Sequence, residues 1–174
     1  MELVHEDVID APRDLVYKIV RDDLSNLSPF LPNIKKIEQK KYTRTGDQVL
    51  VVNHWYAAAD IPKMMTKFLS EDFFSWKDTA SWDDSKHCVV YQLESFVAND
   101  LFKAHGKNKF VEKDGQTLLQ ISCSVEIYPD KIPGVPKLIA RQVRPLIEKL
   151  VEKMIGPNLT SLGDGLRKYL EAHR

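Results

Sequence analysis

The chain has 174 residues, enough for one sizeable hydrophobic core, whereas two domains of half that length would each be marginally stable. We therefore predict a single domain over residues 1–174. The 25 lysines and arginines balance the 25 aspartates and glutamates, so no net positive charge attracts nucleic acid. The first residues lack the pattern of a signal peptide, and no apolar run reaches the ~20 residues of a membrane-spanning helix. We expect a soluble, cytoplasmic protein.

The two cysteines, Cys88 and Cys123, are too few for a disulfide framework and lack the spacing of a metal site. The predicted strands that carry them are separated by a third strand, which places them too far apart for a disulfide. The five histidines show no paired spacing. We therefore expect reduced thiols, no metal site and no cofactor.

The first third of the chain predicts a strand followed by two short helices. The segment ELVHEDVI is rich in branched residues and ends before Ala11-Pro12, where apolar residues begin to recur at helical spacing. A second helical turn covers residues 24–30. Pro29 and Pro32 then force the backbone into an extended form.

Six antiparallel strands are predicted to follow. The first two form a hairpin that turns at Gly46-Asp47, and the other four are joined by short links. Strict alternation in LLQISCSVEI indicates a sheet with one buried face and one solvated face. Between the hairpin and the third of these strands, DIPKMMTKFL predicts a short amphipathic helix over residues 60–69.

A proline-rich turn precedes a long C-terminal helix. In RPLIEKLVEKMIGP the apolar positions span about 180° of the helix, wider than the roughly 100° that contact with one neighbour requires. One row is predicted to pack on the sheet and the next to overlook a cavity; the alternative is that both rows pack against protein. Pro145 and Gly156-Pro157 predict kinks or breaks in the helix.

This order of elements resembles the helix-grip fold of the START-like superfamily, also called SRPBCC, which includes birch-pollen-allergen-like proteins. VIDAPRDLVYKIV is similar to the opening of that fold, and SNLSPFLPNIKKIE is similar to the corresponding stretch of coenzyme-Q-binding START-like proteins. The remainder, from ADIPKMM to LIARQV, is most similar to an uncharacterised branch. The fold class is therefore predicted as α+β, a curved seven-stranded antiparallel sheet around the C-terminal helix.

The resemblance implies a cavity between sheet and helix that holds an apolar small molecule or a lipid. The predicted lining has three parts: aromatic residues of the strands, residues of the C-terminal helix, and the amphipathic segment at the cavity mouth. These are Trp55, Trp76, Tyr91 and Phe110; Leu146, Leu150 and Met154; and Met65 and Phe68. The alternative for each aromatic residue is that it simply fills the core. Met64, Met65 and Phe68 are predicted to form the lid, with plain packing or transient membrane contact as alternatives.

Chemical motifs are lacking: the sequence contains no phosphate loop, serine elbow or nucleophilic cysteine motif. His5 and Asp7 share a strand face, which is predicted to be the solvated one. We therefore predict binding, with or without transport, of a hydrophobic small molecule or lipid rather than catalysis. One alternative is a polyketide cyclase or dehydratase-like enzyme, with acid and base groups in the cavity. Another is a protein interaction module with a filled interior and an exposed apolar patch.

Overall fold

The computed structural model describes most of the chain. The described residues are 1–58, 60–63, 66–67, 70, 72, 75–96, 102–131 and 135–173, with the backbone alone described at 129, 150, 151, 154, 155 and 158. The apolar positions Met64, Met65, Phe68 and Leu69 of the predicted amphipathic helix lie outside the described residues.

One strand and two short helices precede six strands and a long C-terminal helix, as predicted. The helices and strands are β1 (Glu2–Ile9), α1 (Arg13–Asp22), α2 (Leu24–Leu27), β2 (Ile34–Thr45), β3 (Gln48–Ala57), β4 (Trp76–Asp83), β5 (Cys88–Ser95), β6 (Phe102–Lys113), β7 (Gln116–Ile127) and α3 (Lys137–Ala172). Single 3₁₀ turns cover Ser28–Phe30 and Pro129–Lys131. Among the described residues, no helix combines the length and hydropathy needed to cross a membrane.

The seven strands form one antiparallel sheet in the order β1-β7-β6-β5-β4-β3-β2. The predicted α+β helix-grip architecture is therefore confirmed. Two register shifts in β2 mark bulges, which bend a strand and increase its twist. Because β6 lies between β5 and β7, it separates Cys88 from Cys123, and both are free thiols.

The inner face of the sheet follows the predicted alternation. On β7 the inward residues are all buried, namely Leu119, Ile121, Cys123, Val125 and Ile127. His5 and Asp7 on β1 pair with Ile121 and Leu119, so they lie on this inner face and not, as predicted, on the solvated one. Asp7 is accommodated there because Arg167 of α3 forms an ion pair with it.

Helix α3 is continuous through both of its prolines, so of the predicted kinks or breaks the breaks do not occur. A proline at position i removes the donor to the carbonyl of residue i−4, which here belongs to Arg141 and Lys153. Both residues are exposed, so water can replace the missing donor. Packing of α3 against the sheet then stabilises the helix as a whole.

Two clusters of buried residues fill the space between the sheet and α3. The first surrounds Ala140 and Ile147 in the N-terminal half of α3, and the second surrounds Leu162 and Leu166 in its C-terminal half. Ile34, Trp55, Tyr91 and Leu159 pack against both clusters. The last three also line the candidate site, which lies between the clusters.

Candidate ligand-binding cavity

A cavity of about 100 Å³ lies between the inner face of the sheet and the helices. Strands β3 to β6 contribute its floor, while Leu24 of α2 and Leu159 and Leu162 of α3 contribute to the opposite wall. Its described lining includes members of both buried clusters. The predicted location of the cavity, between sheet and C-terminal helix, therefore agrees with the structure.

Aromatic side chains dominate one side of this cavity. Trp55 and Trp76 are cross-strand partners whose rings stack, with centroids 5.5 Å apart and an interplanar angle of 16°. Trp82 and Tyr91 complete the aromatic lining, so all three tryptophans of the chain face the cavity. Of the predicted lining residues, the structure thus brings together Trp55, Trp76 and Tyr91.

Small residues on the sheet explain why space remains here. Ala80, Tyr91 and Gly106 lie in one row across β4, β5 and β6. A Cβ atom on Gly106 would overlap the Tyr91 ring, so the glycine allows that ring to lie across β6, where its hydroxyl donates to the Ser122 carbonyl at 3.2 Å. The Tyr91 ring therefore extends away from Ala80. Because the Ala80 side chain is only a methyl group, the space above it stays unfilled.

Three buried polar side chains also line the cavity: Asn53, Asp78 and Asn108. Asn53 and Asp78 are cross-strand partners, and the Trp55 indole Nε1 donates to Asp78 Oδ2 at 3.3 Å. Burial raises the pKa of Asp78 to about 7, and the hydrogen bond from Trp55 opposes that rise. A buried carboxyl group of this kind exchanges its proton near neutral pH.

Three atoms of this lining have no hydrogen-bond partner among the described residues: Asp78 Oδ1, Asn108 Oδ1 and Trp82 Nε1. Asn108 Oδ1 can only accept a hydrogen bond, and Trp82 Nε1 can only donate one. Asp78 Oδ1 accepts when the carboxyl group is ionised and can donate when it is protonated. No lysine, arginine or histidine occurs among the described lining residues. The described lining therefore offers hydrogen bonds but no positive charge to balance an anion.

The sequence predictions missed this polar group, although the alternation contains a signal for it. Asn53 follows Val49 and Val51 in the inward phase of β3, and Asn108 occupies the inward phase of β6. Asp78 does the same on β4, next to the inward-facing Trp76. Each of these three strands therefore carries one polar residue among its inward-facing apolar residues. A buried polar side chain with an unpaired atom calls for an explanation, and a functional one is a candidate.

The remaining predicted lining residues lie elsewhere or outside the described residues. Phe110 packs edge-on against Tyr17 of α1 with ring centroids 5.3 Å apart, and it does not contact the described cavity. Leu146 packs against the first buried cluster and is also absent from the described lining. Met65 and Phe68, and the side chains of Leu150 and Met154, lie outside the description.

No protein-family model matches the chain, and no curated protein sequence matches it. Solved structures do match over nearly the whole length. A protein from Thermus thermophilus is 21% identical with a TM-score of 0.67, each chain being covered over 99% of its length. The Zhui aromatase/cyclase from Streptomyces sp. R1128 is 16% identical with a TM-score of 0.64, over 100% of this chain and 94% of the other.

A START superfamily protein from Mycobacterium smegmatis is 15% identical with a TM-score of 0.56, over 99% of both chains. Likeness at these identities shows the fold and leaves the function to the residues of the site. The resemblance to the START-like helix-grip fold is thereby confirmed.

Proposed function

We propose that the chain binds an apolar small molecule in the cavity between the sheet and α3. The observation that carries this proposal is the aromatic lining, in which all three tryptophans face one interior space. Ligand sites typically combine such apolar walls with a few polar groups that fix orientation. Asn53, Asp78 and Asn108 are well placed to serve as those groups.

The size of the cavity favours a compact ligand over a lipid chain. Sites for drug-sized molecules enclose roughly 300–1,000 Å³, whereas a cavity of ~150 Å³ is enough for benzene. The volume of about 100 Å³ is smaller than both figures, so the largest ligand that it favours is a single ring. An aromatic ring that buries roughly 150–250 Å² gains about 4–6 kcal/mol at ~25 cal/mol per Å². Hydrophobic burial alone therefore supports only weak affinity, with a dissociation constant between about 1 mM and about 40 μM.

Filling the cavity from its floor tests the proposal. Ala80→Leu adds three carbon atoms to the sheet side of the cavity and should abolish binding of toluene, while Ala172→Leu, at an exposed position of α3, should leave it unchanged. The three tryptophan indole N–H signals in ¹H–¹⁵N NMR spectra report binding directly. Toluene titrations that shift these signals equally in both variants would refute the assignment of this cavity.

Acid–base catalysis is a second candidate function, favoured by Asp78. A carboxyl group whose pKa lies near 7 inside a cavity has the property that a general acid or base requires. One solved structure with this fold is an aromatase/cyclase. In this case Asp78→Asn should abolish conversion of a short β-diketone substrate mimic of single-ring size, followed by mass spectrometry, while the variant should still bind toluene. Equal conversion by the variant would exclude Asp78 as the acid or base.

A further inference from the structure

Two of the three unpartnered atoms of the cavity, Trp82 Nε1 and Asn108 Oδ1, are a donor and an acceptor on either side of Val89. Trp82 pairs with Val89 across β4 and β5, and Val89 pairs with Asn108 across β5 and β6. Cross-strand partners share a face, so Trp82 and Asn108 face the cavity from strands two positions apart, about 10 Å between their Cα atoms. Trp82 Nε1 can only donate, and Asn108 Oδ1 can only accept.

A hydroxyl group is the simplest ligand group that satisfies both atoms, because it accepts one hydrogen bond and donates another. A methyl group of the same size would leave both atoms unpaired. A carboxylate could accept from Trp82, but it has no proton for Asn108. It would also face Asp78 without any cationic side chain in the described lining.

We propose that the cavity selects an uncharged single-ring aromatic molecule that carries a hydroxyl group, held between Trp82 Nε1 and Asn108 Oδ1. This proposal rests on the binding function proposed above and adds the chemical class of the ligand. The stacked Trp55 and Trp76 rings and the volume of about 100 Å³ favour a flat, compact body. The unpartnered donor and acceptor favour the hydroxyl group.

Three ring compounds separate the possibilities: p-cresol and p-xylene, which are of nearly equal size, and the anion 4-methylbenzoate, which is two heavy atoms larger. We expect p-cresol to bind about tenfold or more tightly than p-xylene, because each net hydrogen bond contributes roughly 0.5–1.5 kcal/mol. Binding of 4-methylbenzoate should be undetectable at the same concentrations. The tryptophan indole signals again provide the dissociation constants.

Two variants test the assigned atoms, each with folding checked by thermal unfolding. Asn108→Leu keeps the approximate side-chain volume but removes the acceptor, and Trp82→Phe keeps an aromatic wall but removes the donor. Each should reduce the preference for p-cresol over p-xylene by about threefold or more, which is one net hydrogen bond. The control Gln92→Leu changes an exposed residue of β5 and should retain the wild-type preference.

The outcomes distinguish this proposal from the binding function on which it rests. If p-xylene binds as tightly as p-cresol, the hydroxyl preference is wrong while the binding function stands. If p-cresol is preferred equally by the wild type, Asn108→Leu and Trp82→Phe, the assigned atoms are wrong. If none of the three compounds shifts the indole signals, both the binding function and the ligand class are overturned.

Discussion

The ionisation of Asp78 should make the stability of the protein depend on pH in an unusual direction. Burial raises its pKa from 3.8 to about 7 in the folded state. Between these values the folded protein holds a proton that the unfolded chain has lost, so the free energy of unfolding falls as pH rises. At about 1.4 kcal/mol per pH unit where the two states differ by a full proton, this single group lowers stability by about 3 kcal/mol between pH 4 and pH 7. Above about pH 8 its contribution no longer changes.

Urea unfolding of the wild type and Asp78→Asn measures this contribution. Asparagine retains an oxygen that can accept from the Trp55 indole, but it cannot ionise. The wild type should therefore lose about 3 kcal/mol relative to the variant from pH 4 to pH 7, since the other titrating groups cancel in the difference. Asp47→Asn, at an exposed turn residue, provides the matched control. A wild-type minus Asp78→Asn difference that stays constant within about 1 kcal/mol would show that Asp78 ionises normally and is solvated.

Two glycine predictions test how the cavity and α3 are held in place, both by thermal unfolding. Gly163→Ala should destabilise the protein by about 1–3 kcal/mol, because the added Cβ would overlap the Asp7 carboxyl group. At Gly156 an added Cβ meets open space, so Gly156→Ala should stabilise the protein by up to about 1 kcal/mol through its higher helix propensity. Equal effects of the two would contradict the close approach of α3 to β1. Gly106→Ala should also destabilise by about 1–3 kcal/mol and should shift the Tyr91 ring signals in NMR spectra, since the added methyl overlaps that ring. Unchanged ring signals would refute its position across β6.

Alternation and helical spacing were sufficient to predict the individual strands and helices, while the resemblance to the START-like superfamily supplied their helix-grip arrangement. The strict two-residue period of β7 identifies its buried face, and the apolar spacing after Ala11-Pro12 identifies α1. Both signals are local, so a single sequence contains them. The continuity of α3 through Pro145 and Pro157 was not predictable in this way, because contacts with the sheet stabilise a helix against a local defect.

The cavity was predicted for a reason that the described residues do not support. The wide apolar face of α3 suggested a row of side chains without a packing partner, yet Leu146 packs against the first buried cluster and Ile147 is fully buried within it. The space instead lies over Ala80, beside the ring that Gly106 accommodates. Small residues in a strand leave no mark on hydrophobic periodicity, which is why the pattern of α3 alone could not locate the site.

Stability alone gives no reason for Asn108 to occupy the inner face of β6. A buried polar atom without a partner costs about 1–3 kcal/mol, a sizeable part of the roughly 5–15 kcal/mol by which a typical domain is stable. Leucine at this position would remove that penalty and add apolar contacts with the neighbouring Val89. If Asn108 is present to hold a ligand, Asn108→Leu should therefore unfold at a higher temperature than the wild type while discriminating less between p-cresol and p-xylene. A variant that is less stable and equally selective would show instead that Asn108 is a structural residue.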